Sequence, residues 1–399
     1  MVITDEKKID EVLTRGVKDL IVAEHLKARM MAGEQLRIKF GIDPTSPHMH
    51  LGHTVPLRKL RQFQELGHIA VLIIGDATAM VGDPTGRSEQ RNLITREEID
   101  QNKKTYQKQA FKVIKSDKDS LEVVRNGKWF DKMNGLDFMQ MTSKVTLQQV
   151  MQRDDFRKRL NTEESTLSPL ELLYPIMQGY DSVMVKADVE IGGADQLLNL
   201  HMGRRMQRRY EMPEQDILTV PLLVGTDGER KMSKSFGNNI PLETKPNEMF
   251  ELVMTVADSA IVTYFELLTD LSSAEIAVFD QALKAGKNPR DIKLELAAAI
   301  VRIFHSKAAA VKAKKYFVNK FTESNVPDDI PEFKVASEMK LLEVLVASGL
   351  AQSNGEARRL VADGGVFLND VKQSDAFAVM APGTNGVLRR GKRQFVRLS

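Results

Sequence analysis

The sequence predicts an open, doubly wound α/β sheet that gives way to an α-helical region and then to a small α+β unit. Three observations carry this. A period-two apolar alternation at Ile38, Phe40 and Ile42 leads into a helical stripe and then a continuous apolar run at 69–74, the strand–helix–strand opening of a parallel sheet. After Pro241 the apolar spacing becomes helical. From Val335 it begins afresh as a compact pattern of helices and a strand. At 399 residues the chain exceeds one ordinary domain, and 42% hydrophobic residues suffice for more than one core.

Composition excludes several function classes. A formal net charge of only +3 argues against a surface coated for nonspecific nucleic-acid binding, so any RNA contact must be patchy. With no cysteine there is no disulfide, thiolate metal site or cysteine nucleophile. No run of about 18 apolar residues occurs, and the start MVITDEKKID lacks signal-peptide character, so a soluble cytoplasmic protein is expected.

Taken in order, residues 5–32 carry Ile9, Val12, Leu13, Val17, Leu20, Ile21, Leu26 and Met30 at helical spacing, interrupted near Gly16 and bounded by Gly33. The alternation at 38–42 is a core strand whose ladder Asp43, Pro44 and Thr45 break. A helix follows from about Gly52, with Val55, Leu57, Leu60 and Phe63 inward, Arg58, Lys59 and Arg61 outward, and Gly67 at its end. Its N-terminus offers unpaired backbone donors and the positive end of a dipole beside His50, His53 and a hydroxyl, a setting that suits a polyphosphate. The run 69–74 is a buried parallel strand, followed by Gly75, Asp76 and VGDPTGRSEQR. In doubly wound sheets ligands sit beyond the carboxyl ends of the strands, where the loops 43–53 and 82–91 both project. Taken alone, Asp83 and Pro84 are equally ordinary turn residues.

Residues 93–170 read as helical and strongly charged, opened by a Thr95, Glu98 capping box and containing the adjacent aromatics Trp129 and Phe130. Met133, Met139, Met141 and Met151 serve either its core or an interface. In 168–180, Pro169 starts a helix whose apolar stripe is Leu172, Leu173, Ile176 and Met177. Tyr174, Gln178 and Asp181, spaced by four and three, share one helix face. They form either a solvated polar face or a set that recognises an amine at one end and a hydroxyl at the other. Val189 and Ile191 make a strand running into Gly192 and Gly193, which permit close approach to backbone, and Asp195 behind them suits ribose hydroxyls. The basic run 204–209 is a solvated helix face or an RNA contact. Further on, 231–235 read KMSKS, just after Gly225, Asp227 and Gly228, which predict a mobile loop whose two lysines can follow a moving charge.

The pairing of HxGH at 50–53 with KMSKS at 231–235 resembles the class I aminoacyl-tRNA synthetases. The fuller wording, KFGIDPT at 39–45, GDPTG at 82–86, QGYD at 178–181 and IGGADQ at 191–196, is similar to the bacterial tyrosyl-tRNA synthetases over essentially the whole chain. The resemblance implies a Rossmann-type catalytic domain over 1–240 with a connective helical insertion at about 93–170 that forms a homodimer interface. It further implies a helical anticodon-recognition domain over 241–325 and an α-L RNA-binding domain over 336–399, with Arg358 and Arg359 on RNA.

The same resemblance implies ATP as a substrate with Mg²⁺, tyrosine and tRNA(Tyr) as the other partners, and neither a tightly bound cofactor nor a metal held by the protein. Tyrosine would be bound by Asp43, Asp83, Tyr174, Gln178, Asp181 and Gln196, with Asp83 on the ammonium, Asp181 on the phenol and Gln196 near the carboxyl. ATP would meet Gly52, Arg87, Arg91, Gly193, Asp195, Ser233 and Ser235, the two arginines toward pyrophosphate. Catalysis falls to Thr45 and His50 at the pyrophosphate end, His53 at the ribose and adenosine, and Lys231 and Lys234 at the β and γ phosphates through loop closure. In the better-known branch of the family a tyrosine stands where this chain has Lys39 and shares the substrate phenol. Here Lys39 either pairs with Asp181 or points elsewhere.

In the second half, Asn288, Pro289 and Arg290 mark a helix start. Residues 307–320 concentrate positive charge beside Tyr316 and Phe317, as an RNA-facing or a plain amphipathic helix. Residues 323–335, with Pro327, Pro331 and four acids, read as a polar linker. In the tail, Ser353 and Glu356 make a capping box, Gly364 and Gly365 turn into the strand 366–368, and 389–397 add positive charge. The competing expectations are a tryptophanyl synthetase, a nucleotidyltransferase that shares HxGH, and a noncatalytic RNA-binding protein that keeps the fold.

Overall fold

Six strands, β1 (Asp19–Ile21), β2 (Arg37–Ile42), β3 (Ile69–Ile74), β4 (Leu121–Arg125), β5 (Val189–Gly193) and β6 (Asp216–Val220), form one sheet in the order β1-β6-β5-β2-β3-β4. All neighbours are parallel except β1, which runs antiparallel along β6 at one edge. From β2 the chain proceeds outward to β3 and β4, then returns to the other side of β2 with β5 and β6. The carboxyl ends of β2 and β5 therefore flank the switch point at which such sheets bind ligands. The computed structural model describes residues 1–85, 94–161, 167–323, 330–369, 371–391 and 394–399, which divide into two units, 1–313 and 314–399.

In the first unit, helices α1 (Glu6–Thr14) and α2 (Ala23–Met31) enclose β1, so the helical spacing read through 5–32 conceals an edge strand. The strand β2 is buried on both faces: Ile38 and Lys39 are fully buried and Phe40 nearly so. Period-two reasoning placed only Ile38, Phe40 and Ile42 inside. Helix α3 (Leu51–Glu65) carries the expected inward face, but Lys59 is not outside. Its ammonium donates to the main-chain oxygens of Val12 (2.7 Å) and Arg15 (2.8 Å), and burial pushes it down to about 7. Arg58 reaches the Asp270 carboxylate at 2.6 Å.

Helix α4 (Arg96–Ala110) begins at the expected capping box: Glu98 N donates to Thr95 Oγ1 (3.2 Å) and Thr95 N to Glu98 Oε2 (2.9 Å). The stretch 93–170 is not helical throughout, because β4 lies within it, paired to β3. Helix α5 (Pro169–Val185) starts on Ser168 with Pro169 in its first turn, as expected, and packs against α6 (Leu197–Arg209). The approach is close enough that a Cβ on Gly179 would come within 3.0 Å of the Met202 backbone. In α6, Arg204 and Arg208 pair with Glu214, at 3.1 and 2.5 Å. Helices α7 (Pro246–Met254), α8 (Ile261–Leu268), α9 (Ser273–Lys284) and α10 (Pro289–Phe304) bury Phe250, Tyr264, Phe265, Leu296 and Ile300. Asn288 caps the last of these, accepting from Arg290 N at 3.0 Å. Helix α11 (Lys307–Glu323) contributes residues to both units.

In the second unit, β7 (Glu332–Phe333) pairs in parallel with the C-terminal strand, so the stretch read as a linker contains a sheet strand; residues 324–329 of it lie outside the described residues. The strands β8 (Met339–Lys340), β9 (Val366–Leu368), β10 (Val371–Lys372), β11 (Val379–Met380), β12 (Gly386–Arg390) and β13 (Gln394–Leu398) complete a five-stranded sheet, β10-β9-β12-β13-β7, and a β11-β8 pair. Helices α12 (Leu341–Ala347) and α13 (Asn354–Ala362) cover its core, which includes Leu341, Leu345, Ala357, Val361, Val366 and Leu388. Ser353 caps α13, accepting from Glu356 N, but the Glu356 carboxylate accepts from Gln352 N (2.7 Å) rather than closing the box on residue 353. Arg358 stacks on exposed Phe377, 5.0 Å from the ring centre. Among the described residues no helix is long and apolar enough to cross a membrane.

Candidate active site

A cavity of about 510 Å³ opens at the carboxyl ends of β2 and β5. Three sequence segments supply its walls: the loop from β2 into α3, one face of α5, and the turn after β5. The 231–235 segment closes the side. The cavity gathers Asp43, Thr45, His50, Gly52 and His53 from the first segment and Tyr174, Gln178 and Asp181 from the second. Gly193, Asp195 and Gln196 come from the third, and Lys231, Ser233, Lys234 and Ser235 from the last. Asp83 joins them. Arg87 and Arg91 lie outside the described residues, and Arg358 and Arg359 belong to the second unit.

The two histidines begin α3. His50 N donates to Nδ1 of His53 at 3.2 Å, and the rings lie 3.9 Å apart. A ring nitrogen that accepts carries no proton, so neutral His53 holds its proton on Nε2 and offers it as a donor. Burial pushes His53 down to about 4 and His50 lower still, with the Lys234 charge opposing protonation of both. At neutral pH the motif is a pair of uncharged donors, and Nδ1 of His50 is buried without a hydrogen-bond partner. Positive charge comes from the loop instead. There Lys231 Nζ lies 3.0 Å from Asp195 Oδ2 and Lys234 Nζ 3.4 Å from Ser46 Oγ. The loop is anchored by buried Met232, whose N donates to Leu223 O (2.7 Å), and by Asn238, whose Oδ1 accepts from Ser233 N (2.8 Å).

The α5 face is organised by carboxylates. Tyr174 OH donates to Asp43 Oδ2 (3.0 Å), and Thr78 Oγ1 donates to Asp43 Oδ1 (2.8 Å). Burial and the nearby acids hold the Tyr174 phenol well above its usual range, so it remains a donor. Gly75 is needed here: any Cβ would fall 2.0 Å from Asp43 Oδ1. Asp83 accepts from Thr85 Oγ1 (2.6 Å) and from Gln196 Nε2 (2.8 Å), and Gln196 in turn accepts from Asn199 Nδ2 (2.8 Å).

Asp181 is 3% exposed and accepts from Trp129 Nε1 (3.0 Å) and Asn126 Nδ2 (3.2 Å). Burial pushes its carboxyl up to about 7, against the opposing charge of Lys39. Of the two expectations for Lys39, pairing with Asp181 is not what occurs: its ammonium is tied to Glu190 at 2.8 Å. Asn126, Trp129, Thr78 and Glu190 were not singled out for the site from sequence. Trp129 is the chain's single tryptophan, but its position gave no hint that it faces α5.

Residues 31–322 match the family described as tRNA synthetases class I (W and Y), and residues 322–398 match the tyrosine–tRNA ligase SYY-like C-terminal domain. A tyrosine–tRNA ligase of Thermotoga maritima is 44% identical over 397 residues, 99% of this chain and 98% of that protein. One from Francisella tularensis is 43% identical over 392 residues, 98% of each. Among solved structures, a tyrosyl-tRNA synthetase of Archaeoglobus fulgidus complexed with L-tyrosine superposes with a TM-score of 0.62 at 22% identity. It covers 78% of this chain and all of that one, a likeness of fold. With close to half of its residues shared along nearly its entire length, the chain belongs to the tyrosine–tRNA ligase family of class I tRNA synthetases.

Proposed function

We propose that this cavity performs the family's reaction with the following division of labour: ATP-dependent activation of L-tyrosine to tyrosyl-adenylate, then transfer of tyrosine to the 3′ end of tRNA(Tyr). The observation that carries the reading is one helix face, Tyr174, Gln178 and Asp181, set within a cavity that also holds both nucleotide motifs. Asp83, Tyr174 and the Gln178 amide oxygen receive and orient the amine, and Asp181 accepts from the phenol. Asp43 supports this end by fixing Tyr174, and Gln196 by fixing Asp83.

In the first step a tyrosine carboxylate oxygen attacks the α-phosphorus in line. The new P–O bond forms as the bond to the bridging oxygen breaks, and pyrophosphate leaves with that electron pair. The nucleophile is already charged, so no general base is required, and catalysis consists of placement and of donors aimed at accumulating charge. Thr45 and His50 serve the pyrophosphate end and His53 the ribose and adenosine. Lys231 and Lys234 serve the β and γ phosphates, assisted by Ser233 and Ser235. Gly52 and Gly193 let nucleotide approach the backbone, and Asp195 takes ribose hydroxyls once Lys231 turns to phosphate. Arg87 and Arg91 add charge for pyrophosphate. Mg²⁺ would accompany ATP and would supply charge neutralisation at its phosphates. In the second step the terminal ribose hydroxyl attacks the adenylate carbonyl, expelling AMP, with the substrate's own phosphate oxygen available to take the proton.

Around this centre we assign residues 1–240 to catalysis, 241–325 to the anticodon and 336–399, with Arg358 and Arg359, to RNA binding, in a cytoplasmic enzyme. Two copies pair through the 93–170 segment, a reading supported by exposed Leu136, Met139, Leu147 and Leu160.

Amino-acid-dependent ATP–pyrophosphate exchange across the standard amino acids tests the assignment. Exchange is expected with tyrosine alone; stimulation by tryptophan, or none by any amino acid, overturns it. Removing residues 336–399 is expected to leave exchange nearly intact while raising the KM for tRNA in charging. Equal loss of both reactions in a folded truncation would assign the tail to supporting the catalytic unit.

A further inference from the structure

We propose that the buried pair of Lys39 and Glu190 is a positioning device for tyrosine recognition, holding the Gln178 amide oxygen and the Asp181 carboxylate toward the cavity. The proposal rests on the tyrosine reading of that cavity, which Lys39 itself helps to line.

Lys39 and Glu190 are register partners on adjacent strands β2 and β5, and both are essentially unexposed. The Lys39 ammonium donates to Gln178 O (2.9 Å) and Ser182 Oγ (2.7 Å) and pairs with Glu190 Oε1 (2.8 Å). An ammonium has three N–H groups, and these three acceptors use them all. Lys39 therefore has no donor left for substrate or for Asp181, and it acts through the turn of α5 that it grips. That turn, 178–182, carries Asp181.

Glu190 completes the arrangement. It accepts from Ser182 Oγ (3.1 Å), from Gln178 Nε2 (3.4 Å) and from Gln215 Nε2. Because the carboxylate can only accept, it fixes which way the Gln178 amide faces: the NH₂ toward Glu190, the oxygen away from it. That oxygen is buried with no hydrogen-bond partner, on a side chain that lines the cavity, the state of an acceptor awaiting a donor such as an ammonium. A buried ion pair adds little over apolar packing of equal volume, so stability alone is a weak reason to find one here. Its effect at the phenol end is electrostatic. The charged and polar groups facing Asp181 are Lys39 from β2, Asp43 from the loop beyond it, Asn126 and Trp129 from the turn after β4, and Tyr174 along α5. Of these, Lys39 does most to keep the carboxylate ionised, and Asp43 opposes it.

The test is Lys39→Met/Glu190→Gln, which removes both charges together and leaves neither alone in the interior. Tyrosine-dependent exchange is followed against pH, with KM for tyrosine, KM for ATP, kcat and thermal melting. An ionised Asp181 is needed to accept the phenol, so wild-type kcat/KM for tyrosine is expected to fall as pH drops through about 7. In the double variant the inflection moves upward and KM for tyrosine rises about tenfold or more, the scale of one lost hydrogen bond to an ion. KM for ATP and kcat at saturating tyrosine stay near wild type. Glu190→Gln alone keeps the volume but presents an amide donor to Gln178, and is expected to raise KM for tyrosine as well. If neither of these melts cooperatively, Ser182→Ala decides: it removes the hydroxyl that bridges Lys39 and Glu190 without stranding a charge, and is expected to raise KM for tyrosine. A folded variant with wild-type KM for tyrosine and an unmoved inflection overturns the proposal. Wild-type enzyme that shows no exchange with tyrosine overturns the function on which it rests.

Discussion

In Asp181→Ala, kcat/KM for tyrosine is expected to fall about 100-fold while that for phenylalanine does not fall, the scale of a hydrogen bond to a charged acceptor worth about 1.5–3 kcal/mol. The asymmetry follows from geometry. A carboxylate has about four acceptor sites, and the ones used by Trp129 Nε1 and Asn126 Nδ2 leave room for a phenol. Tyrosine supplies that donor. Phenylalanine leaves a buried carboxylate short of one partner, and this penalty is what rejects it. Alanine removes the attraction and the penalty together. Asn126 remains held through Thr78 Oγ1 and Ala77 N, so the turn after β4 retains its frame. Exchange kinetics with both amino acids check the prediction. A variant that keeps the wild-type preference would transfer selection to Tyr174 or Gln178.

Lys234→Ala is expected to slow adenylate formation by about 10²–10³-fold, the range for losing one preorganised charge donor at a transition state, and to leave tyrosine affinity nearly unchanged. Lys234 is exposed, 3.4 Å from Ser46 Oγ and on a different segment from the α5 face proposed to bind tyrosine. With both motif histidines uncharged near neutral pH, the loop lysines supply the cationic charge among the described cavity residues that faces phosphate. An interaction made mainly as pyrophosphate departs appears in kcat, not in the ground state. Pre-steady-state adenylate formation and equilibrium tyrosine binding separate the two; a loss confined to tyrosine affinity would contradict this role.

What was legible in the sequence depended on whether the signal was local. The run at 69–74 became β3 because six apolar residues between His68 and Gly75 leave few other solutions, and the spacing of Tyr174, Gln178 and Asp181 fixed a shared face once α5 formed. The capping box at Thr95 is likewise a four-residue signal. Strand β4 was missed because Leu121–Arg125 alternates weakly inside a charged stretch and earns its place only by pairing with β3. Strand β1 was hidden because three residues cannot establish a period. Lys59 was placed outside on charge alone, although the carbonyls that receive it come from Val12 and Arg15, a different element. Trp129 and Asn126 entered the site by the same long-range route, reaching Asp181 on α5 from the segment after β4.

The Lys39–Glu190 pair also constrains how this pocket can change over generations. Replacing either residue alone leaves the other as a lone buried charge, at a cost of about 3–5 kcal/mol, a large part of what holds a domain folded. No single substitution at 39 or at 190 reaches an uncharged alternative without crossing that barrier. Positions 39 and 190 are therefore expected to change together. A redesign of this pocket that alters one of them is expected to need its counterpart at the other.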